Sequence, residues 1–428
     1  MAALPNVYLL SADSLRADHA EELMNRVAER TGGTRFTNAV APASHTASSV
    51  PGLLTGQYID GNGPGDGKPL PESLGADEYQ TQVVTDNPLI GSVLEQDTGS
   101  NNAKGLENVL DDLLPRGLTR SIERWYFRWA WPMARRYGLA NAYYRPAGLL
   151  HETALDSLSD VDGPSFSWVH YMDTHSPYHV PRGAESTDVS GRYRTAATSR
   201  RIALERPEAV SKEDLASVSR LYRTACSELG DSVVDFVEQL IEDGQYRPET
   251  DILAVTADHG ECLDTDRGMV GHVPPASWES LVHVPLVVAR PDWPETEVAE
   301  QVSLVDLPAM LGADIGETRA PATFSREYAV TVAGSLTDVG TVRGVRRDNG
   351  TKLFGRRTDQ GVDVVQTMYD VGDPSAETVV STWSGDDTAA GAPTDLTDRL
   401  RDMGGVVEHG SYLPGFDEEQ LRSLGYLE

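Results

Sequence analysis

The stretch Asp251-Ile-Leu-Ala-Val-Thr-Ala-Asp258-His259-Gly260-Glu261 joins an apolar run to a polar end. Residues 252–256 are apolar or β-branched, and such a short run predicts a buried strand. In open parallel α/β sheets, ligands bind just beyond the carboxyl ends of the strands. Asp258 and His259 therefore lie where chemistry is expected. The alternative interpretation is a turn with a capping aspartate and a surface histidine.

Composition limits the classes of protein to which this chain can belong. Its 428 residues, 39% of them hydrophobic, are enough for one large domain or for a large and a small one. The formal net charge is −30, and only four residues are lysines. This composition favours a halophilic protein, because concentrated salt screens the repulsion, over a merely acidic mesophilic enzyme. It argues against nucleic-acid binding, which requires a basic surface.

Targeting and redox signals are weak in this sequence. The residues before Val7 include neither a basic segment nor a long apolar one, so we predict no signal peptide. No apolar run approaches the length of a membrane span. Cys226 and Cys262 are the only cysteines, and they do not make a disulfide framework. We therefore expect a soluble cytoplasmic protein.

Two segments near the N-terminus also place polar groups after a strand. Val7–Ser11 predicts the first strand, and Asp13 lies just beyond it, where a carboxylate can hold a divalent cation. The hydroxyl residues at 44–49 predict the start of a helix that ends near Gly56. A hydroxyl at a helix N-terminus faces N–H groups that favour an anionic ester, although an ordinary N-cap fits equally.

The rest of the chain alternates between strands, helices and loops. Residues 183–215 are polar and charged, which predicts a loop. The other predicted elements are strands at Tyr79–Thr85, Ser165–Tyr171 and Leu281–Ala289, an amphipathic helix at Leu221–Ile241, a helix start at 304–308, and short strands at 340–346, 351–354 and 362–365.

Several motifs follow one another in a fixed order. They are Asp13-Ser-Leu-Arg-Ala-Asp18, Thr46 upstream of Leu53-Leu-Thr-Gly56, His170-Tyr-Met-Asp173-Thr-His175-Ser-Pro-Tyr178, Asp258-His259-Gly260-Glu261 before Val284-Pro-Leu286, Tyr369-Asp-Val-Gly-Asp-Pro374, and Leu421-Arg-Ser-Leu-Gly-Tyr426-Leu427. This ordered set resembles the sulfatase branch of the alkaline phosphatase superfamily over nearly the whole chain. The resemblance implies an α/β fold, an alkaline-phosphatase-like three-layer sandwich with a large, mostly parallel central sheet. It also implies a catalytic domain at 1–340 and a small antiparallel α+β subdomain at 341–428.

Two departures from the sulfatase pattern bear on the chemistry. Typical sulfatases have a Cys or Ser that is converted to formylglycine, whereas the matching run here is Thr46-Ala-Ser-Ser-Val50. The paired aspartates of many sulfatases are Asp13-Ser14 here, so one metal-ligand carboxylate is missing. A threonine nucleophile resembles the phosphodiesterase, phosphomutase and phosphoethanolamine- or phosphoglycerol-transferase relatives. Phosphate mono- or diesters are therefore favoured over sulfate esters.

The resemblance also implies a set of site residues. Asp13, Thr46, Asp258 and His259 would bind one divalent cation, which can be Mg²⁺, Mn²⁺, Ca²⁺ or Zn²⁺. Thr46 would form a covalent ester with the substrate. His175 would assist the leaving group, as a general acid or a hydrogen-bond donor. His272 is expected near the anionic oxygens of the substrate, with an ordinary core or loop histidine as the alternative. Asp173, His175 and His272 supply residues of the right types for a second metal, but the Asp173-x-His175 spacing fits the one-metal branch better. Asn87 is a further candidate for the anion site, with an ordinary loop asparagine as the alternative.

A basic and aromatic insertion at 116–150 stands out in this acidic chain. Its segment 116–145 alternates arginines with Trp and Tyr, which predicts contact with an anionic lipid or glycan, or packing over the core. We expect an anionic ester of a glycan, a lipid or a small molecule as substrate, and the sequence does not indicate an oligomeric state. Three functions compete: a metal-dependent ester hydrolase, a transferase of phospho-alcohol head groups to a glycan or lipid, and a non-catalytic anion-binding protein.

Overall fold

The structure is a computed structural model of the full chain. It describes residues 4–58, 67–74, 79–87, 89–90, 144–159, 161–176, 178, 210–267, 269–272, 276–312, 319–333, 341–358, 361–371, 373–384, 391–403 and 407–408. The basic and aromatic segment 116–143, most of the loop predicted at 183–215 and the motif at 421–427 lie outside the described residues. Of the basic segment, Tyr144 and Arg145 are described, and Arg145 forms an ion pair with Asp86 at 2.7 Å.

Strands and helices alternate along the first three quarters of the chain. The strands are β1 (Val7–Ala12), β2 (Thr34–Val40), β3 (Gln80–Thr85), β4 (Ser165–Tyr171), β5 (Ile252–Ala257), β6 (Cys262–Asp264), β7 (Met269–Gly271), β8 (His283–Ala289), β9 (Glu297–Val298), β10 (Val302–Ser303), β11 (Tyr328–Ala333), β12 (Thr341–Arg347), β13 (Thr351–Thr358), β14 (Gly361–Asp370), β15 (Asp373–Ser384) and β16 (Val407–Glu408). The helices are α1 (Glu21–Thr31), α2 (Thr46–Thr55), α3 (Leu70–Ser73), α4 (Ala147–Ser159), α5 (Lys212–Glu242), α6 (Glu279–Val282), α7 (Leu307–Leu311) and α8 (Thr394–Asp402).

The larger sheet has eight strands and places the polar strand ends together. Its order is β10-β2-β8-β5-β1-β4-β3, with β9 paired to β2. Every residue of β1, β4 and β5 is buried, as expected for central strands that are covered on both faces. Strand β8 is antiparallel to β2 and β5, and the other pairs are parallel. The carboxyl ends of β1 to β5 therefore lie at one edge of the sheet.

The sheet is the middle layer of a three-layer α/β sandwich, which confirms the predicted fold. Helix α5 packs against both α1 and α4, and α2 packs against α7. None of the helices in the described part of the chain combines the length and the apolar character that a membrane span requires.

Several predicted element boundaries were wrong. Strands β13 and β14 extend to Thr358 and Asp370, beyond the predicted ends at 354 and 365. Helix α5 begins at Lys212, inside the predicted loop 183–215, because the Ser211 side chain caps it by accepting a hydrogen bond from the N–H of Asp214 (3.1 Å). Its first turns are polar and exposed, so hydrophobic periodicity could not locate them. Strand β8 begins at His283 rather than Leu281, since Leu281 and Val282 complete the short helix α6.

The smaller sheet is antiparallel and contains the strands that follow the larger one in sequence. Its order is β11-β12-β13-β14-β15, with β16 beside β12, and α8 packs against β12 and β13. Strand β11 precedes residue 341, and the predicted domain boundary between 340 and 341 stays a prediction.

A buried network of four charges joins the smaller sheet to the segment around α6. Glu279 accepts hydrogen bonds from Arg346 (2.9 Å) and from Lys352 (2.9 Å), and Lys352 also lies 2.7 Å from Glu377. Arg346, Lys352 and Glu279 are at most 1% exposed, and Glu377 is 7% exposed. Arg267, which is partly exposed, also lies 3.3 Å from Glu377, so every buried charge of the network has an oppositely charged partner, the condition under which buried charges are tolerated.

Candidate metal and nucleophile site

Four strands of the larger sheet bring polar side chains to one point. Asp13 follows β1, Asn87 follows β3, and Asp258 and His259 follow β5. Thr46 is the first residue of α2, which comes after β2. All five side chains are buried, with at most 3% of their surface exposed. The strand ends thus form the kind of crevice in which α/β sheets bind ligands.

Thr46 is held between a carboxylate and an imidazole. Its hydroxyl donates a hydrogen bond to Asp13 Oδ2 at 3.0 Å, and its Oγ1 lies 3.2 Å from His259 Nε2. Asn87 Nδ2 donates to the same Asp13 oxygen at 3.0 Å. Because Thr46 begins a ten-residue helix, its side chain lies beside N–H groups that have no acceptor within the helix. The threonine oxygen therefore sits where an anionic ester would be stabilised.

Lone pairs converge at this point, and a cation would satisfy them. His259 Nδ1 donates to the carbonyl oxygen of Gly260 at 2.8 Å, so Nε2 carries the lone pair. That nitrogen lies 3.6 Å from Asp13 Oδ1 and 3.6 Å from Asp258 Oδ2. Asp258 Oδ2 is buried and has no hydrogen-bond partner among the described residues. One ligating atom from each of Asp13, Asp258 and His259 lies within 4.8 Å of the other two. This donor set fits a divalent cation.

The charges of the two carboxylates depend on each other. Burial and the neighbouring Asp13 carboxylate raise the pKa of Asp258 to about 8. Burial would also raise the pKa of Asp13, but its interactions with the nearby imidazoles, His175 first and then His170 and His259, outweigh burial and hold this pKa well below its ordinary value. Asp13 therefore keeps its charge while Asp258 holds a proton near neutral pH. Binding of a divalent cation would expel that proton.

Ser14 occupies the position of the second aspartate of many sulfatases, and its backbone is unusual. Its φ of 64° is the only positive value among the described residues other than glycine. The Ser14 hydroxyl donates to Asp13 Oδ1 at 2.8 Å, and its N–H donates to Asp258 Oδ1 at 3.3 Å. A left-handed non-glycine residue costs about 1–3 kcal/mol and persists where its surroundings fix it. Ser14 thus holds both carboxylates in place instead of supplying a third.

Gly260 allows the backbone after β5 to lie close against the backbone of α6. A Cβ at position 260 would lie 2.1 Å from the carbonyl oxygen of Ser280, a distance that atoms do not adopt. The Gly260 N–H donates to the carbonyl oxygen of Leu281 at 2.8 Å. The glycine that follows the Asp258-His259 pair is therefore required by a close backbone approach.

His175 and His272 lie beside this cluster. The His272 ring centroid lies 4.7 Å from that of His259 and 5.3 Å from that of His175. Burial lowers the pKa of His175 to about 4, and burial together with His259 lowers that of His272 to about 3. Both rings are therefore neutral near neutral pH. In that state they donate hydrogen bonds to anionic oxygens rather than balance their charge.

Asp173, a candidate ligand for a second metal, lies at another helix. Its Oδ1 accepts a hydrogen bond from the N–H of Ala147 (3.2 Å), the first residue of α4. Burial raises the pKa of Asp173 to about 6. The residue thus satisfies the N-terminus of α4.

Three further residues lie near the site. The sequence predicts either an anion-binding or an ordinary loop role for Asn87, and its side chain reaches Asp13. It predicts no role for the other two, Glu261 and His170. Glu261 Oε1 lies 3.4 Å from His272 Nδ1, Glu261 Oε2 accepts from Tyr178, and burial raises the pKa of Glu261 to about 7. His170 lies in β4 with Nε2 3.7 Å from Asp13 Oδ2. A signal did exist for the last two, because each lies inside a quoted motif at the end of a buried strand.

Comparison with known proteins places the chain in a family. The sulfatase family model matches residues 5–313. No curated protein matches the sequence. Among solved structures, the phosphonate monoester hydrolase from Silicibacter pomeroyi has a TM-score of 0.59 at 18% identity, covering 93% of this chain and 94% of that one. The phosphonate monoester hydrolase of Agrobacterium radiobacter has a TM-score of 0.57 at 15% identity, covering 86% of this chain and 89% of that one.

A third similar structure is that of BT4656 in complex with its substrate D-glucosamine-2-N,6-O-disulfate. Its TM-score is 0.52 at 14% identity, covering 86% of this chain and 91% of that one. At these identities the likeness to solved structures shows a shared fold. The family match, however, contains every site residue from Asp13 to His272. The chain therefore belongs to the sulfatase family and is a sulfuric or phosphoric ester hydrolase of that family.

Proposed function

We propose that this protein is a metal-dependent hydrolase of phosphate or sulfate esters that acts through a covalent ester on Thr46, with phosphate esters favoured. The observation that carries the proposal is the position of Thr46 Oγ1, 3.0 Å from Asp13 Oδ2 and 3.2 Å from His259 Nε2. A divalent cation bound by Asp13, Asp258 and His259 would favour the ionised threonine and offset the charge of the ester.

The chain's own residues then have distinct roles. Thr46 Oγ1 forms the bond to phosphorus while the bond to the leaving oxygen breaks, and the hydroxyl proton of Thr46 passes to water. An N–H of neutral His175 stabilises the leaving oxygen, which then takes up a proton from water. Water then releases the threonine ester. A thousandfold lowering of this barrier corresponds to roughly 4 kcal/mol, which ligand binding and charge stabilisation commonly supply.

The preference for phosphate follows from the side chain at position 46. A formylglycine hydrate can expel sulfate by collapsing to the aldehyde, and threonine has no such route. A threonine phosphate, in contrast, can be attacked at phosphorus. The substrate class that fits this reasoning is an anionic phosphate ester of a glycan, a lipid or a small molecule.

The proposal includes one metal ion rather than two. Asp173 Oδ1 accepts from the first N–H of α4, which supports excluding Asp173 from a second ligand set. Oxygen ligands with one imidazole suit Mg²⁺, Mn²⁺, Ca²⁺ or Zn²⁺. Elemental analysis after dialysis, on the protein and on an Asp258→Asn variant, tests both number and identity. One equivalent of metal per chain in the wild type, absent from the variant, supports the proposal. Two equivalents of metal in the wild type contradict it.

The decisive experiment measures release of 4-nitrophenol from a sulfate ester, a phosphate monoester, a phosphodiester and a phosphonate monoester. The assays use molar salt with Mn²⁺ or Zn²⁺, with and without a chelator. We expect the highest kcat/KM for a phosphate ester, lost on chelation, and a mass increase on Thr46 after rapid quenching. Release that requires an added alcohol acceptor would instead indicate a transferase. No release from any substrate would contradict the hydrolase.

A further inference from the structure

A chain of buried hydrogen bonds leads from β4 to the carboxylate of Asp13. Trp168 Nε1 donates to Ser11 Oγ at 2.7 Å, and Ser11 Oγ lies 2.8 Å from His170 Nδ1. His170 Nε2, at the far side of the ring, lies 3.7 Å from Asp13 Oδ2. Trp168, Ser11, His170 and Asp13 are all at most 1% exposed. The parallel register of β1 and β4 places Ser11 directly opposite His170.

The hydrogen-bond inventory of Ser11 assigns the tautomer of His170. An indole N–H can only donate, so Ser11 Oγ accepts from Trp168. Within the described residues, the buried Ser11 hydroxyl has His170 Nδ1 as its acceptor and no other, and a buried O–H without an acceptor is costly. Ser11 therefore donates to Nδ1, and the proton of the neutral imidazole is on Nε2.

The opposite tautomer would be unfavourable at both ends of the ring. With the proton on Nδ1, the Ser11 hydroxyl would lose its acceptor. The lone pair of Nε2 would then face Asp13 Oδ2, and two acceptors would repel each other in a buried environment. Both effects favour the N–H on the side of Asp13. His170 Nε2 has no hydrogen-bond partner within the described residues, and its proton points toward a carboxylate that already accepts from Thr46 and Asn87.

We propose that His170 is a positioning residue for the metal-binding carboxylate: its Nε2–H, oriented by Trp168 through Ser11, holds Asp13 in the orientation that binds the cation. This inference rests on the metal-dependent function proposed above. The distance of 3.7 Å is longer than a hydrogen bond, so the contact acts as an attraction between the N–H dipole and the carboxylate charge. Groups that orient a metal ligand in this way typically change metal affinity by about 10–100-fold when they are removed.

The first test reads the tautomer directly and needs no metal. Protein labelled with ¹⁵N at its ten histidines is studied by two-dimensional NMR at pH 7.5, and a His170→Gln variant assigns the His170 signals by their loss. We expect the His170 Nδ1 signal of a hydrogen-bond acceptor and the Nε2 signal of a protonated nitrogen. A protonated Nδ1 with a bare Nε2 would overturn the proposal.

The second test measures Mn²⁺ affinity by titration calorimetry on the full chain. His170→Leu removes the donor and keeps an apolar side chain, and we expect the Kd to rise about tenfold or more. His170→Gln carries an amide N–H at a similar reach, and we expect it to recover most of the affinity. His151→Leu is the matched control, since His151 is also buried and bonded, to Tyr171 at 3.0 Å, but lies on α4 outside the site. Its Kd should equal that of the wild type.

The outcomes separate this inference from the function on which it rests. If the wild type binds no Mn²⁺, the proposed function and the positioning role both fail. If the wild type binds Mn²⁺ and His170→Leu binds it equally tightly, only the positioning role fails. Equal weakening by His170→Leu and His151→Leu would show a general loss of packing and would also overturn the inference.

Discussion

The Thr46 hydroxyl donates a 3.0 Å hydrogen bond to Asp13 although β2 and β1 are separated in the sheet by β8 and β5. The loop at 41–45 spans this distance and is entirely buried. Ala41 N–H donates to Val282 O at 2.8 Å, and Pro42 O accepts from Val332 N–H at 2.8 Å. The position of Thr46 therefore depends on a loop that is fixed by α6 and β11, and not only on a strand end.

The first prediction concerns the oxygen of Thr46. Thr46→Val keeps the shape of the side chain but removes the nucleophile, so kcat for phosphate ester hydrolysis should fall by about a thousandfold or more. Thr46→Ser keeps a hydroxyl and should retain a readily measurable rate. Steady-state kinetics on both variants, with circular dichroism to confirm folding, checks this. A valine variant as active as the wild type would remove Thr46 from the mechanism.

The second prediction concerns the close approach at Gly260. Gly260→Ala would place a Cβ 2.1 Å from the Ser280 carbonyl oxygen, so the backbone must shift, and we expect a loss of about 2–4 kcal/mol in the free energy of unfolding. Gly148→Ala is the control. Gly148 lies in α4 with nothing within 4 Å of a built Cβ, and alanine should stabilise that helix slightly. Urea unfolding of the two variants distinguishes them, and equal stabilities would contradict the steric argument.

The third prediction concerns the buried network of Glu279, Arg346, Lys352 and Glu377. Glu279→Gln removes one of the two negative charges and leaves Arg346 and Lys352 poorly compensated, so unfolding should become easier by about 3–5 kcal/mol. Asp398→Asn breaks an exposed ion pair with Arg401 and should leave stability unchanged, because solvent screens such pairs. Thermal denaturation compares them, and similar melting temperatures would show that the network contributes little.

The fourth prediction is a pH dependence from His151. Burial lowers its pKa from 6.5 to about 4, so between these values the unfolded chain binds a proton that the folded chain does not. The contribution of neutral His151 to the free energy of unfolding should therefore be at its full value above pH 6.5, and it should fall as the pH drops towards 4. The glutamine of the His151→Gln variant cannot titrate. The free energy of unfolding of this variant should therefore fall by about 1–3 kcal/mol less than that of the wild type over this range. Denaturation at pH 7.5, 6 and 5 measures the difference, and parallel curves would refute it.

The fifth prediction follows from the net charge of −30. Salt shortens the range of repulsion between carboxylates, from about 10 Å at 0.1 M to about 3 Å at 1 M. The melting temperature should therefore rise steadily as KCl is increased into the molar range. Sucrose at the same osmolarity does not screen charge and serves as the control. A melting temperature that falls with KCl would contradict adaptation to salt.

The strands that carry the site were predictable because each is a local pattern. The apolar runs at 7–11 and 252–256 predicted β1 and β5 to within one residue at their carboxyl ends. Asp13 and Asp258 directly follow these runs, so their common location needed only the rule that parallel strands end at one edge. The helix from Thr46 was predictable for a similar reason, since small hydroxyl residues precede an apolar run that ends at a glycine.

Contacts between residues on adjacent strands could not be predicted from local patterns. The motif that begins at His170 marks that residue. Its approach to Asp13, like that of Asn87, depends on β4 lying beside β1 and β3 beside β4, and strand order leaves no local signal. The buried charges were missed for a different reason. Lys352 and Glu279 belong to residue types that are almost never fully buried unless paired, and each partner is distant in sequence.

The pairing of β1 with β4 and β5 also sets the order of events during synthesis. Strand β1 ends at Ala12, whereas its second neighbour is complete only when Ala257 has been added. At about 5–20 residues per second, β1 waits roughly 10–50 s after its own synthesis for that neighbour. The six residues of β1, all of them buried in the folded protein, stay exposed to solvent for that time. The nascent chain is therefore most open to aggregation before its active site can exist, and a chaperone that shields β1 should raise the yield of folded protein.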